Sequence, residues 1–360
     1  RVRMPAIYQR GLGKPQIQEE HAVFRVLKHP LEDNVFRSVY KTNFDPNRYS
    51  RAEFLIHYRK LLADFNPNVV VLEHSAMQDI IDLNQKRNLP TILCPQNLEG
   101  LDLTGLPEAN VWHMHARMYD LASEYMMFER CSKRLFISKI EAGFVQGLGC
   151  ASEFYPYRAV GEILERMCSI RKAREQSSIV RGLFLLIGSA HYPPIGDGLR
   201  WLAEQMATHG LPQGATVVAV GRSTDKLLPA NLVPPGLDLR GWTAQSELDD
   251  LMLKAQGILV PYRFGFGALT RLSELPHTGI PIIASEFATR GIESLDGIYP
   301  VANTWQDWHH AMSQVMSSSM LPSRGLCDDS QEIASTAIER AVQELIPIAH
   351  KAPYQRHHQA

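Results

Sequence analysis

The 360-residue sequence predicts an α/β protein built from two doubly wound domains. Three observations carry that prediction. The length suits two domains of ordinary size, each with its own core. Short apolar, β-branched runs alternate with stretches of helical periodicity, so that β-α-β steps follow one another. The stretch from Gly257 to Ser285, GILVPYRFGFGALTRLSELPHTGIPIIAS, is one such step in full: strand, glycine loop, helix, strand.

Composition narrows the function classes. Hydrophobic residues make up 45% and charged residues 21%, as in a globular protein, and no apolar run approaches the roughly 20 residues of a membrane span. A formal net charge of -1 gives no global electrostatic reason to expect nucleic acid. Cys94, Cys131, Cys150, Cys168 and Cys327 show no C-x-x-C spacing, so neither a zinc site nor a disulfide framework is expected. Reduced thiols in a cytosolic protein are the simplest account. The numbering opens at Arg1 rather than at a methionine, so a fragment of a longer product, or one lacking a disordered start, is expected.

The elements of the first domain, expected over residues 1–157, follow in order. Residues 1–50 hold one glycine pair, Gly11-Leu-Gly13-Lys-Pro, which lacks phosphate-loop spacing and reads as a turn. From Arg51 to Phe65 the apolar residues Phe54, Leu55, Tyr58, Leu61, Leu62 and Phe65 recur at three and four, giving a helix with one buried face. Asn66-Pro-Asn68 stops it. Val69 to Leu72 is a short continuous β-branched run, the pattern of a strand in a parallel sheet. Met77 to Leu83 reads as a helix, Leu89 to Cys94 as a strand, Trp112 to Arg130 as a long helix and Arg134 to Ser138 as a strand. Lys139-Ile-Glu141 opens the next helix, which ends near Gly147 or Gly149.

The polar span 158–178 carries no strong strand signal and is expected to be a linker, helical in part. The second domain, expected over 179–328, opens with an apolar strand from Gly182 to Gly188. Ser189 and His191-Tyr-Pro-Pro194 then lead into an amphipathic helix with Leu199, Trp201, Leu202 and Met206. A further strand is expected at Ala215 to Val220, ending at Gly221-Arg222, and Leu237 to Leu239 with Gly241-Trp242 comes next. Helices follow at Ser246 to Leu253 and Ala268 to Leu275, then a strand at Ile280 to Ala284, after which come Gly291-Ile292 and Tyr299-Pro-Val301. Trp305 to Met316 and Gln331 to Leu345 read as the closing helices, the last within a segment, 329–360, expected to cross back to the first domain.

Several of these segments together resemble one family. G-x-G-x-x-x-[KR]-x-x-E followed by G-x-P-[IV]-[IV]-A, matched by Gly265, Gly267, Arg271, Glu274, Gly279, Pro281, Ile282, Ile283 and Ala284, resembles the donor-binding segment of glycosyltransferase family 4. The loop Cys94 to Gly100 resembles that family's H-N-V-E segment, with Asn97 and Glu99 matching and Gln96 in place of the His. Ser138-Lys-Ile-Glu141 resembles its S-x-x-E segment, Gly188-Ser189 with Pro193-Pro194 its glycine loop, and Gly241-Trp242 its base-contacting segment. The likeness spans roughly residues 66–320, and only the 257–285 stretch is specific on its own.

The resemblance implies a GT-B architecture, two Rossmann-like domains facing a cleft, with a nucleoside diphosphate sugar held mainly by the second. It assigns the donor diphosphate to Arg271 and the ribose to Glu274, and it makes Gln96 and Glu99 the matching catalytic positions of the first domain. Gly188, Ser189, His191, Arg222, Trp242, Gly265, Phe266, Gly267, Ala268 and Leu269 are the implied donor-binding set. Phe266 stands where many members carry a Glu, and Ala268-Leu269 replace a Thr-Arg pair of one subgroup. The implied reaction is glycosyl transfer with retention of configuration, in glycan or polysaccharide synthesis. The sugar nucleotide is then a substrate, and no cofactor is called for. A glycan, lipid-linked or protein acceptor is left open, as is peripheral attachment to the inner face of a membrane by a cytoplasmic protein.

Read by themselves, these residues also have plainer explanations. Glu274 and Arg271 are three apart on a helix, either a diphosphate and ribose pair or an ordinary ion pair. Arg222 and His191 fit exposed turns as well as phosphate contacts. His113 and His115 alternate in VWHMHARM and fall on different helix faces, which disfavours a metal pair. No D-x-D motif is present, so the donor diphosphate is expected to be stabilised without metal. Trp201, Trp242, Trp305 and Trp308 read as core or interface aromatics. Two other enzyme readings share the fold, a sugar-nucleotide epimerase and a phosphorylase with lysine-bound pyridoxal. A non-catalytic sugar-nucleotide- or partner-binding protein is the reading from another class, motivated by Phe266, Gln96 and Ala268-Leu269.

Overall fold

In the computed structural model, residues 52–101, 111–265, 267–292, 294–317 and 338–345 are described, apart from the side chains of 111–117 and Tyr119. The Gly11-Leu-Gly13 turn, Phe266, the His113 and His115 side chains, Cys327 and positions 331–337 of the expected last helix lie outside these described residues. The chain divides into two units, one ending at Pro156 and including 338–345, the other beginning at Tyr157.

In the first unit the elements are α1 (Ala52–Phe65), β1 (Val70–Leu72), α2 (Gln78–Lys86), β2 (Thr91–Leu93), α3 (Val111–Arg130), β3 (Lys133–Phe136), α4 (Lys139–Gly147) and β4 (Glu153–Phe154). Asn66, at φ 45, turns the chain out of α1 where Asn66-Pro-Asn68 had suggested a stop. The strands pair in parallel in the order β1-β2-β3-β4. Neighbouring residues on each strand face opposite sides, so both faces are covered. Leu72, Leu93 and Phe136 pack with Ile80, Ile81, Met127, Phe128 and Val145 on one face. Ile92 and Leu135 pack with Ile338, Ala341 and Leu345 of the helical residues 338–345 on the other.

In the second unit come α5 (Gly161–Arg174), β5 (Leu183–Ile187), α6 (Pro193–His209), β6 (Thr216–Val220), β7 (Leu237–Gly241), α7 (Gln245–Lys254), β8 (Gly257–Val260), α8 (Arg271–Glu274), β9 (Ile282–Ser285), α9 (Glu286–Thr289), β10 (Ile298–Val301) and α10 (Trp305–Ser317). All six strands are parallel, in the order β7-β6-β5-β8-β9-β10. Taken from β5, that is the 3-2-1-4-5-6 order of a Rossmann sheet, whose order reverses between β5 and β8. The inner strands are almost wholly apolar because helices cover both faces, and Phe184, Leu185, Val217, Ala219, Ile282 and Ile283 are fully or almost fully buried, whereas the edge strand β7 exposes Asp238 and Arg240. Trp201 meets Trp308 edge to face at 5.8 Å and Trp305 at 6.5 Å. Trp242 is 75% exposed, so of the expected core or interface roles it does not take the core one.

Three local expectations are corrected. The span 158–178 is not a bare linker, since it holds the 14-residue α5, with Leu164, Met167 and Ile170 buried. Its polar composition hid a helix fastened by charge: Arg174 donates to the carbonyls of Met252, Leu253 and Ala255 at 2.6, 3.1 and 2.8 Å, satisfying the open end of α7. The helix expected from Ala268 to Leu275 shrinks to the four residues of α8, followed by a 3-10 turn over Leu275–Thr278. Pro276 has no N–H for an α-helical bond and its ring opposes the carbonyl four residues back, so the α-geometry cannot continue. Cys168 is disulfide-bonded, whereas Cys94, Cys131 and Cys150 are free; disulfide pairing depends on proximity in space, which sequence spacing does not reveal. Among the described residues no helix is long and apolar enough to cross a membrane.

Candidate functional site

Open parallel sheets bind ligands beyond the carboxyl ends of the strands where the strand order reverses. In the second unit that place lies between β5 and β8, and the loops leaving those two strands are Gly188 to Tyr192 and Pro261 to Gly267. Close approach requires glycine at several points. A Cβ on Gly198 would stand 2.3 Å from the Pro261 carbonyl oxygen, which locks α6 onto the end of β8. Gly265, at φ 123, brings its loop against Pro194.

Arg271 and Gly188 meet at this point. The guanidinium Nη1 of Arg271 donates to the Ile187 carbonyl at the end of β5. A Cβ at position 188 would stand 2.9 Å from that same nitrogen. Buried Tyr262 lies close enough to feel the Arg271 charge, although desolvation outweighs it and pushes the phenol up to about 12. The Arg271 side chain is half-buried here rather than on an open surface, and charge interactions there are stronger than in bulk water.

The glycine loop after β5 commits some amides and leaves others. Gly188 N–H donates to Val220 at 2.8 Å, Ala190 N–H to Arg222 at 2.9 Å and Tyr192 N–H to Ser189 at 3.0 Å. The amides of Ser189 and His191 have no acceptor among the described residues. Pro193 and Pro194 at the start of α6 have no N–H to offer. The loop amides left without an acceptor are thus those of Ser189 and His191. Arg222 is exposed and enters the loop through its carbonyl, while the His191 ring hydrogen-bonds Ser223 Oγ at 2.8 Å.

Glu274 ends α8 and accepts a hydrogen bond from the Tyr157 hydroxyl at 2.6 Å. No ion pair joins it to Arg271, whose guanidinium is turned to β5, so the plain helical-pair reading does not hold. Ala268, Leu269, Gly265 and Gly267 line a cavity together with Tyr192, Pro194, Tyr262, Phe264, Phe287 and Arg290. Sequence reasoning missed Arg290, which donates to the Gly265 carbonyl and stacks 3.5 Å over the Phe287 ring. With α8 only four residues long, little helix dipole acts there, and the positive charge is that of the two arginines.

Gln96 and Glu99 belong to the first unit, on the loop after β2. Two buried carboxylates hold that loop. Glu141 accepts from Leu98 N–H at 3.0 Å, and its own N–H donates to the helix-capping Ser138 hydroxyl at 3.4 Å. Glu124 accepts from Ser75 Oγ at 2.6 Å and from the amides of Glu99 and Gly100 at 3.2 and 3.1 Å. Burial outweighs these bonds and pushes the Glu124 carboxyl up to about 8. A signal for Glu124 was present: it shares the buried stripe of α3 with Leu121 and Phe128, where a Glu is out of place. Beside this loop, burial also raises Glu73 and pushes Cys94 and Tyr155 to about 12 each. Among the described residues no cluster of three or more His, Cys, Asp or Glu side chains is placed to hold a metal ion.

No protein-family model and no curated protein matches the chain. Solved structures do. Sucrose-phosphate synthase from Thermosynechococcus elongatus superposes with a TM-score of 0.56 at 13% identity, over 83% of this chain and 75% of that one. Alr3699/HepE from Anabaena, in complex with UDP and glucose, gives 0.51 at 12% identity over 81% and 78%. WaaG, a glycosyltransferase involved in lipopolysaccharide biosynthesis, gives 0.50 at 14% identity over 84% and 83%. At these identities the likeness is one of fold. With the two parallel sheets, it shows the GT-B type of fold that the sequence predicts.

Proposed function

We propose that the chain is a glycosyltransferase that moves a sugar from a nucleoside diphosphate sugar to an acceptor, with retention of configuration, without a metal, in the manner of family 4. The observation that carries this reading is the meeting of the Arg271 guanidinium with Gly188 at the strand-order reversal. A diphosphate placed there would face a cation and the amides of Ser189 and His191. As the bond between the sugar carbon and the phosphate oxygen breaks, the leaving diphosphate gathers charge. These donors then stabilise the transition state more than the ground state. Glu274 supplies the ribose contact, and Gln96 and Glu99, on the first unit, are the further catalytic positions that the family resemblance implies. The structural neighbour from Anabaena was solved with UDP, which supports a nucleoside diphosphate as the shared ligand class.

The apolar lining contributed by Ala268, Leu269 and Phe264 favours one competing reading, a protein that binds the sugar nucleotide without turning it over. One experiment separates the two. A panel of nucleoside diphosphate sugars is titrated by calorimetry, and release of the free diphosphate is followed with candidate acceptors, with and without EDTA. Binding and EDTA-resistant release are expected. Binding without release selects the competing reading, and binding of no member removes both.

A further inference from the structure

Glu274 is held by a contact that no motif announces. Tyr157, the first residue of the second unit and 117 positions away in sequence, donates its hydroxyl to Glu274 Oε1 at 2.6 Å. It is the one hydrogen-bond donor to Glu274 among the described residues. The local backbone does little to fix this side chain. Glu274 closes a four-residue helical turn and is followed at once by the 3-10 turn, with no ion pair to Arg271.

We propose that Tyr157 is a positioning residue for the ribose: it sets the Glu274 carboxylate so that the remaining lone pairs of both oxygens meet the 2′- and 3′-hydroxyls of a ribonucleoside diphosphate. This rests on the reading of Glu274 as the nucleotide contact. A carboxylate offers about four acceptor sites, and one bond from Tyr157 leaves enough for a cis-diol. A glutamate already fixed in one rotamer loses less conformational freedom when the ligand arrives. The ligand class follows from the chemistry. Two neighbouring hydroxyl donors suit an ionised carboxylate, and a sugar lacking them leaves it without partners.

The test uses the full chain, Tyr157→Phe, and two ligands: whichever of UDP, GDP and ADP wild type binds most tightly, and its 2′,3′-dideoxy counterpart. Phenylalanine keeps the ring and removes the hydroxyl, and thermal unfolding checks that the fold persists. By calorimetric titration the ribonucleotide should bind about fivefold to tenfold more weakly to the variant, the loss of a fraction of one charge-assisted bond. Affinity for the dideoxy ligand should stay within about twofold, because it offers Glu274 nothing to accept. In a Glu274→Gln background, Tyr157→Phe should have no further effect on either ligand. Equal losses for both ligands would mean a merely structural role and overturn the proposal, as would unchanged affinity for the ribonucleotide. If wild type itself fails to prefer the ribonucleotide, the ribose reading of Glu274 fails first, and this proposal with it.

Discussion

Gly188→Ala is the perturbation that tests the site most directly, because it touches Arg271 without removing it. The new methyl would stand 2.5 Å from Ile195 Cδ1 and 2.9 Å from Arg271 Nη1, separations that side chains do not tolerate. Both atoms are ends of flexible side chains, so the strain is relieved by a shift of the Ile195 side chain together with a swing of the guanidinium away from the Ile187 carbonyl. Overpacking of this kind costs about 1–3 kcal/mol of stability and leaves the fold in place. The charge-assisted bonds from Arg271 to a diphosphate are worth about 1.5–3 kcal/mol. At about 1.4 kcal/mol per factor of ten, their loss weakens binding roughly tenfold to a hundredfold. Arg271→Ala should produce a similar loss. Because both changes act through one guanidinium, the double variant should bind no more weakly than Arg271→Ala alone. Calorimetric titration of the four proteins with a nucleoside diphosphate measures the cycle. Full affinity in Gly188→Ala, or losses that simply add, would refute the geometry on which the site is built.

Three further outcomes are expected. Glu274→Gln keeps the shape but weakens the charge-assisted bonds to a ribose, so affinity for the free nucleoside diphosphate and for the intact sugar nucleotide should fall together by about tenfold; a loss confined to the sugar nucleotide would move Glu274 away from the ribose. Gly221→Ala places a methyl 2.0 Å from the Gly188 carbonyl oxygen at φ 138, backbone against backbone, and should cost about 2 kcal/mol or more in urea unfolding, with an unshifted midpoint counting against it. Glu124, raised from 4.5 to about 8, holds its proton in the folded chain over a range in which the unfolded chain has lost it. Stability should therefore fall as pH rises from about 4.5 to about 8 and level off above, and Glu124→Gln should flatten that slope; parallel slopes in the two proteins would show that another group titrates.

Most strands and helices were legible from periodicity because burial on both sheet faces leaves an unbroken apolar run, as at Ile282 to Ala284, and this is a local property of sequence; β4, β7 and β10 have no such run and were not read as strands. Arg271, Glu274 and Gly188 stood out as candidates, the first two on the helix after the glycine loop and Gly188 at the end of a strand. Local reading failed where one element depends on another far along the chain. Arg174 ties α5 to α7, Tyr157 reaches Glu274 across 117 positions, and Glu124 anchors the loop that carries Glu99. A polar side chain reads as solvent-facing until its distant partner is known, since only the partner makes its burial affordable. The sequence by itself determined the parallel α/β class and the residue types of the candidate site. The tertiary structure decided which of those residues meet, because the reversal between β5 and β8 joins Gly188 to Arg271 across 83 residues that carry no local trace of the contact.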